Sequence, residues 1–155
     1  MQEYLLLYKS SKHNSYYPIK NNNNNSNLWY LNDYFLFDSY YYDESLFKKD
    51  QSHYQETIIV NDIKNKNLYI SSQDHDTENH IPYDERSRLT NELNSCKINY
   101  ENFLKFRQKW VALKQDLPSF AIIYRDDHDW IDCKGFDSQK AMELFVQNYQ
   151  PETTH

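Results

Sequence analysis

The chain of 155 residues contains one glycine, Gly135. Loops that cradle phosphates and elbows that present a nucleophile need glycine at several fixed places, where backbone must approach a ligand or take a positive φ. A P-loop, a dinucleotide fingerprint and a GxSxG elbow are therefore excluded. Tight turns must rely on Asn and Asp, the next most tolerant of positive φ, and both are abundant. Cysteine is nearly as scarce. Cys96 and Cys133 stand far apart with no CxxC pair, so neither a disulfide framework nor a zinc cassette is indicated, and reduced structural thiols in a cytoplasmic protein are expected. No apolar run is long enough for a membrane helix, and the opening MQEYLLLYKSSKH puts an acidic residue before a short apolar patch, unlike a secretory signal.

What is present suits one ordinary domain, 1–155. Residues 3–8, EYLLLY, read as an interior strand. The polar segment 9–27, with its asparagine run 21–25, is expected to be a mobile loop, pinned in its middle by Tyr16, Tyr17 and Ile19. In 28–42, two aromatic-rich quartets flank Asn32-Asp33, which suggests a hairpin, with a helix as the alternative. The β-branched runs ETIIV and LYIS form a second hairpin, and 84–93 a short helix.

Asn99 is placed to cap a longer helix in which Phe103, Phe106, Trp110 and Leu113 recur at spacings of three and four, with Leu104 and Val111 widening the stripe. Its other face carries Lys105, Arg107, Lys109 and Lys114, expected to be solvated. Residues 120–149 then give the plainest pattern in the chain: strand, acidic turn, strand, helix. Asp137 or Ser138 caps the last helix, Ala141, Met142, Leu144, Phe145 and Tyr149 are its buried stripe, Cys133 is expected beneath it, and 150–155 is a frayed tail. The fold class is α+β, an antiparallel sheet of about five to seven strands packed on two or three helices.

The net charge is -6, and the acid is concentrated at two places. Asp126, Asp127, Asp129 and Asp132 crowd around Trp130, making a tip able to steer a basic partner and anchor it with a ring. Asp74, Asp76 and Glu78 form a second patch. The triplet Asp-His-Asp occurs at 74–76 and again at 127–129, so oxygen and imidazole ligands for a divalent metal exist in principle. Both triplets lie in connections, where a catalytic site would lack supporting elements, and no cofactor is expected. No spacing ties Cys96, Cys133 or any serine to a histidine base.

A small acidic α+β chain, rich in Asn and Tyr and ending in IIYRDDHDWIDCKGFDSQKAMELF, resembles the immunity proteins of bacterial polymorphic and contact-dependent growth inhibition toxin systems. The resemblance implies a non-enzymatic cytoplasmic protein that binds the toxic domain of a larger exported protein, frequently a basic nuclease, and blocks its active site or an adjacent surface. It implies neither direct nucleic-acid nor membrane binding. Two other readings stand beside it: an anti-defence or nucleic-acid-mimicking protein of a mobile element, against which the basic stretch 105–114 argues, and a metal-dependent hydrolase using the Asp-His-Asp clusters.

Overall fold

The computed structural model describes residues 1–20, 27–36, 44–54, 57–72, 89–91 and 94–150. Its strands are β1 (Glu3–Lys9), β2 (Tyr16–Pro18), β3 (Gln51–Tyr54), β4 (Thr57–Asp62), β5 (Asn67–Ser72), β6 (Cys96–Asn99), β7 (Phe120–Arg125) and β8 (Ile131–Phe136). The helices are α1 (Leu28–Tyr34), α2 (Tyr100–Asp116) and α3 (Gln139–Gln147), with a 3₁₀ turn at Glu44–Phe47. The fold is α+β. Instead of one sheet of five to seven strands, the described residues form two four-stranded antiparallel sheets, ordered β2-β1-β7-β8 and β3-β4-β5-β6. The division arises because β1 crosses the whole chain to pair with β7, Leu5 opposite Ile123, a long-range match without a local sequence signal.

Strand alternation sends side chains of the first sheet to two different layers. Leu5, Leu7, Ala121, Ile123, Ile131 and Cys133 face a core shared with α1, α2 and the second sheet, where Phe106 stacks on Trp110 and Phe35 packs at a tilt against Phe103 and Phe106. Leu6, Ile122 and Tyr124 face the other way, onto Met142 and Phe145 of α3 and Tyr149 just beyond it. Cys133 shares parity with Ile131 and so lies on the α2 side, not beneath α3 as the sequence suggested.

Both long helices start as the sequence indicates. The Asn99 side chain accepts from the Asn102 N–H at 2.7 Å, and Ser138 accepts from Ala141 N–H at 3.1 Å. Their buried stripes are narrower than expected. Leu104, Ala141 and Leu144 are exposed, and each helix buries little more than its central stripe. Among the described residues, four hold a positive φ without being glycine: Asn14, Lys66, Leu117 and Asp129. Gly135 has another duty. A Cβ there would lie 2.5 Å from Cγ of Pro118, so the glycine permits the chain leaving α2 to cross β8.

Two segments depart from the sequence reading. Residues 28–34 are helical, not a hairpin: Leu28, Leu31, Tyr34 and Phe35 recur at helical spacing and are buried, while Asn32, expected at a turn, is buried and donates to the Tyr16 carbonyl at 3.2 Å. The segment 9–27 contains β2, anchored by Tyr16, which is buried and donates to the Pro118 carbonyl at 2.6 Å. The β4–β5 hairpin forms as expected. The asparagine run, residues 37–42, most of the 84–93 helix and the tail after 150 lie outside the described residues.

Candidate binding site: the β7–β8 turn

β7 and β8 are joined by residues 126–130, and the turn is built around one carboxylate. Asp126 is 2 % exposed. Its Oδ1 accepts from the N–H groups of His128 and Trp130 at 2.8 and 3.0 Å, while its own N–H donates to the Trp130 carbonyl at 2.8 Å. An aspartate heading a turn and accepting from the backbone two residues on is the ordinary side-chain mimic of a backbone turn. Asp129 completes it with φ 66° and an N–H that donates to the Asp126 carbonyl at 3.2 Å.

Arg125 fixes the turn to the rest of the molecule. Its Nε donates to Glu3 Oε1 at 2.7 Å, Nη1 to Asp129 Oδ1 at 3.3 Å and Nη2 to the Lys97 carbonyl at 3.0 Å. One planar guanidinium therefore joins β1, the turn and β6 across the two sheets, the kind of fixed-fork geometry that Lys cannot supply.

The four aspartates do not form one open acidic tip. Asp126 and Asp132, 2 % and 9 % exposed, turn inward. Asp132 Oδ1 takes Lys109 Nζ at 2.6 Å and the Cys133 N–H at 2.8 Å, and Oδ2 accepts from the Tyr124 hydroxyl at 3.3 Å. The accessible carboxylates are Asp127, whose Oδ1 lies 2.7 Å from the Met1 amino group, and Asp129. Trp130 is half-buried, with Lys105 Nζ 5.5 Å from its ring centroid. Asp74, Asp76 and Glu78 lie outside the described residues.

The basic side of α2, expected to be simply solvated, is tied to its surroundings. Lys105 pairs with Glu101 and covers Trp130, Lys109 holds Asp132, and Lys114 donates to the Asn14 carbonyl at 2.6 Å. Acid and base that are separate in sequence partly neutralise each other here, which lowers the field the turn projects.

Sequence reasoning passed over Asn102. Its Oδ1 accepts from Ile131 N–H and its Nδ2 donates to Ile131 C=O, both at 2.8 Å. The signal was available: Asn102 stands inside the apolar stripe between Asn99 and Phe106, where a polar residue must find a buried partner.

Neither thiol suits nucleophilic work. Burial pushes Cys96 up to about 12, against a lesser opposing effect of Arg125, and burial likewise raises Cys133, so both stay protonated at neutral pH. Among the described residues, no three His, Cys, Asp or Glu side chains gather as a metal site requires. Likewise no described helix is long and apolar enough to cross a membrane. Searches of family models, curated proteins and solved structures find no match to this chain.

Proposed function

We propose that this chain is a non-enzymatic binding protein that neutralises a toxin domain, with the β7–β8 turn as its contact surface. The observation that carries this reading is the preformed turn. Asp126 cages the backbone and Arg125 locks it to both sheets, so Asp127, Asp129 and the exposed part of Trp130 are presented at little ordering cost to a partner. Two accessible carboxylates beside an indole suit a basic protein surface, with charge serving association rate and the ring serving as anchor. Asp126 and Asp132 position these groups from below; Asp74, Asp76 and Glu78 are a second acidic patch for the same partner. The cytoplasm is the setting this role requires.

The test is binding to the toxin domain encoded immediately upstream, the gene order such pairs adopt. Asp127→Asn together with Asp129→Asn is expected to slow association and flatten its salt dependence. Unchanged kinetics would remove the turn as the contact surface.

A further inference from the structure

Two basic groups of α2 are engaged within the molecule, Lys105 by Glu101 and Lys109 by Asp132. Four other lysines, Lys48, Lys49, Lys64 and Lys66, are exposed, and among the described residues no carboxylate comes within ion-pair distance of any of them. They gather at one corner of the second sheet. Asn61 ties the two pairs together: its Nδ2 donates to the carbonyls of Leu46 and Lys49 at 3.2 and 3.0 Å, and its N–H donates to the Asp50 carbonyl at 2.9 Å. The chain then passes Asp62 and enters the turn between β4 and β5, which carries Lys64 and Lys66.

That turn is preformed. The Asp62 carboxylate accepts from the Asn65 N–H at 3.3 Å and from its Nδ2 at 2.8 Å. Lys66 takes φ 56°, its N–H donates to the Ile63 carbonyl at 3.4 Å, and its carbonyl accepts from the Tyr100 N–H at 3.0 Å. Ile63 stands in this turn with 46 % of its surface exposed, the most exposed large apolar side chain among the described residues. Residues 48–50 and 62–66 hold four lysines, two aspartates and no other charged group. This corner is therefore positive on a chain whose net charge is -6, and its one apolar side chain stands in water.

We propose that this corner docks the protein on an anionic lipid surface, with Ile63 entering the interface and Lys48, Lys49, Lys64 and Lys66 at the level of the headgroups. The lysines select a negative partner, and Ile63 selects its kind. Against a nucleic acid backbone the ammonium groups would be satisfied while Ile63 stayed wet. At a bilayer interface the same side chain leaves water, and each lysine lays its stem along apolar surface with its head in the polar layer. The acid elsewhere on the chain does not prevent this at physiological salt, where exposed charges more than about 8 Å apart are largely screened. No spanning element is needed, because the chain rests on the surface through a turn and the loop beside it. The inference is independent of the toxin-binding reading, since it uses no residue of the β7–β8 turn.

The test is co-sedimentation of the full chain with vesicles of phosphatidylcholine and with vesicles of equal parts phosphatidylcholine and phosphatidylglycerol. Binding is expected to the mixed vesicles only, and to fall as salt rises. Lys49→Gln and Lys64→Gln, one from each stretch, should each weaken it about fivefold, and Ile63→Ser should weaken it while leaving the salt dependence unchanged. All three positions are exposed, so the urea midpoints of these variants should match wild type. A polarity-sensitive dye attached to Ile63→Cys, selective because Cys96 and Cys133 are buried, is expected to shift to the blue on the mixed vesicles. Binding to neither vesicle type or equally to both, binding insensitive to Ile63→Ser, or a dye spectrum unchanged on binding would each overturn the proposal. Retention by single-stranded DNA without retention by the mixed vesicles would overturn it in favour of nucleic acid.

Discussion

The side-chain amide of Asn102 and the peptide of Ile131 exchange two hydrogen bonds of 2.8 Å. Asn102 thus takes the place of a neighbouring strand: α2 closes the edge of β8 with one amide that matches the backbone donor and acceptor. The same contact holds the strand that leaves the acidic turn, so it supports the edge and the candidate site together.

Asn102→Ala is expected to destabilise the protein by about 2–4 kcal/mol, because the buried donor and acceptor of Ile131 both lose their partners. Urea unfolding should show a lower midpoint with an unchanged slope. Asn102→Asp keeps an acceptor for Ile131 N–H but sets a carboxylate against Ile131 C=O, and should cost at least as much. A midpoint within error of wild type for Asn102→Ala would show that β8 is held without this bond pair.

Gly135→Ala is expected to cost about 1–3 kcal/mol through overpacking against the ring of Pro118. The cause is contact and not backbone strain, since Gly135 has no positive φ. Placing Gly135→Ala in a Pro118→Ala background should therefore recover part of the loss, a non-additivity readable from a double-mutant cycle.

Asp126→Ala removes the acceptor of two turn N–H groups. Amide hydrogen exchange at His128 and Trp130 should accelerate, while the core amides of β7 keep their rates, because the opening is local. Equal acceleration across β7 would mean that the turn is not a separate rigid unit but part of the global unfolding equilibrium.

Stability should fall on the alkaline side. Cys96 moves from 9.0 to about 12 and Tyr16 from 10.0 to about 12, both through burial. Each is held protonated in the native state while the unfolded chain releases its proton, so the stabilisation is complete below about pH 9 and is lost as pH rises toward 12. Urea midpoints measured from neutral pH upward should decline over that window. Cys96→Ala and Tyr16→Phe lower the starting stability but should flatten the decline.

Much of this fold was legible in the chain because it is locally encoded. The spacing of Phe103, Phe106 and Trp110, the caps Asn99 and Ser138, and the β7–β8 hairpin all follow from neighbours in sequence. What escaped depends on partners far away. Asn32 looked like a turn residue because Asn-Asp between apolar quartets has that local meaning, yet the Tyr16 carbonyl recruits it into a helix. Cys133 was assigned to the wrong face because alternation fixes which residues share a face, not which layer that face meets. The acidic turn was legible in its existence and in its charge, but not in its wiring: the sequence cannot show that Asp126 and Asp132 turn inward while Lys105 and Lys109 come across from α2.

The most direct test of the central claim is hydrogen exchange on the chain, alone and mixed with the product of the gene immediately upstream, which the proposal expects to be a toxin domain. A stable complex in which amides of residues 127–130 gain protection beyond that of the free protein is the expected result. Absence of a complex, or a complex that leaves those amides exchanging as in the free protein, would contradict the claim that this turn is the neutralising surface.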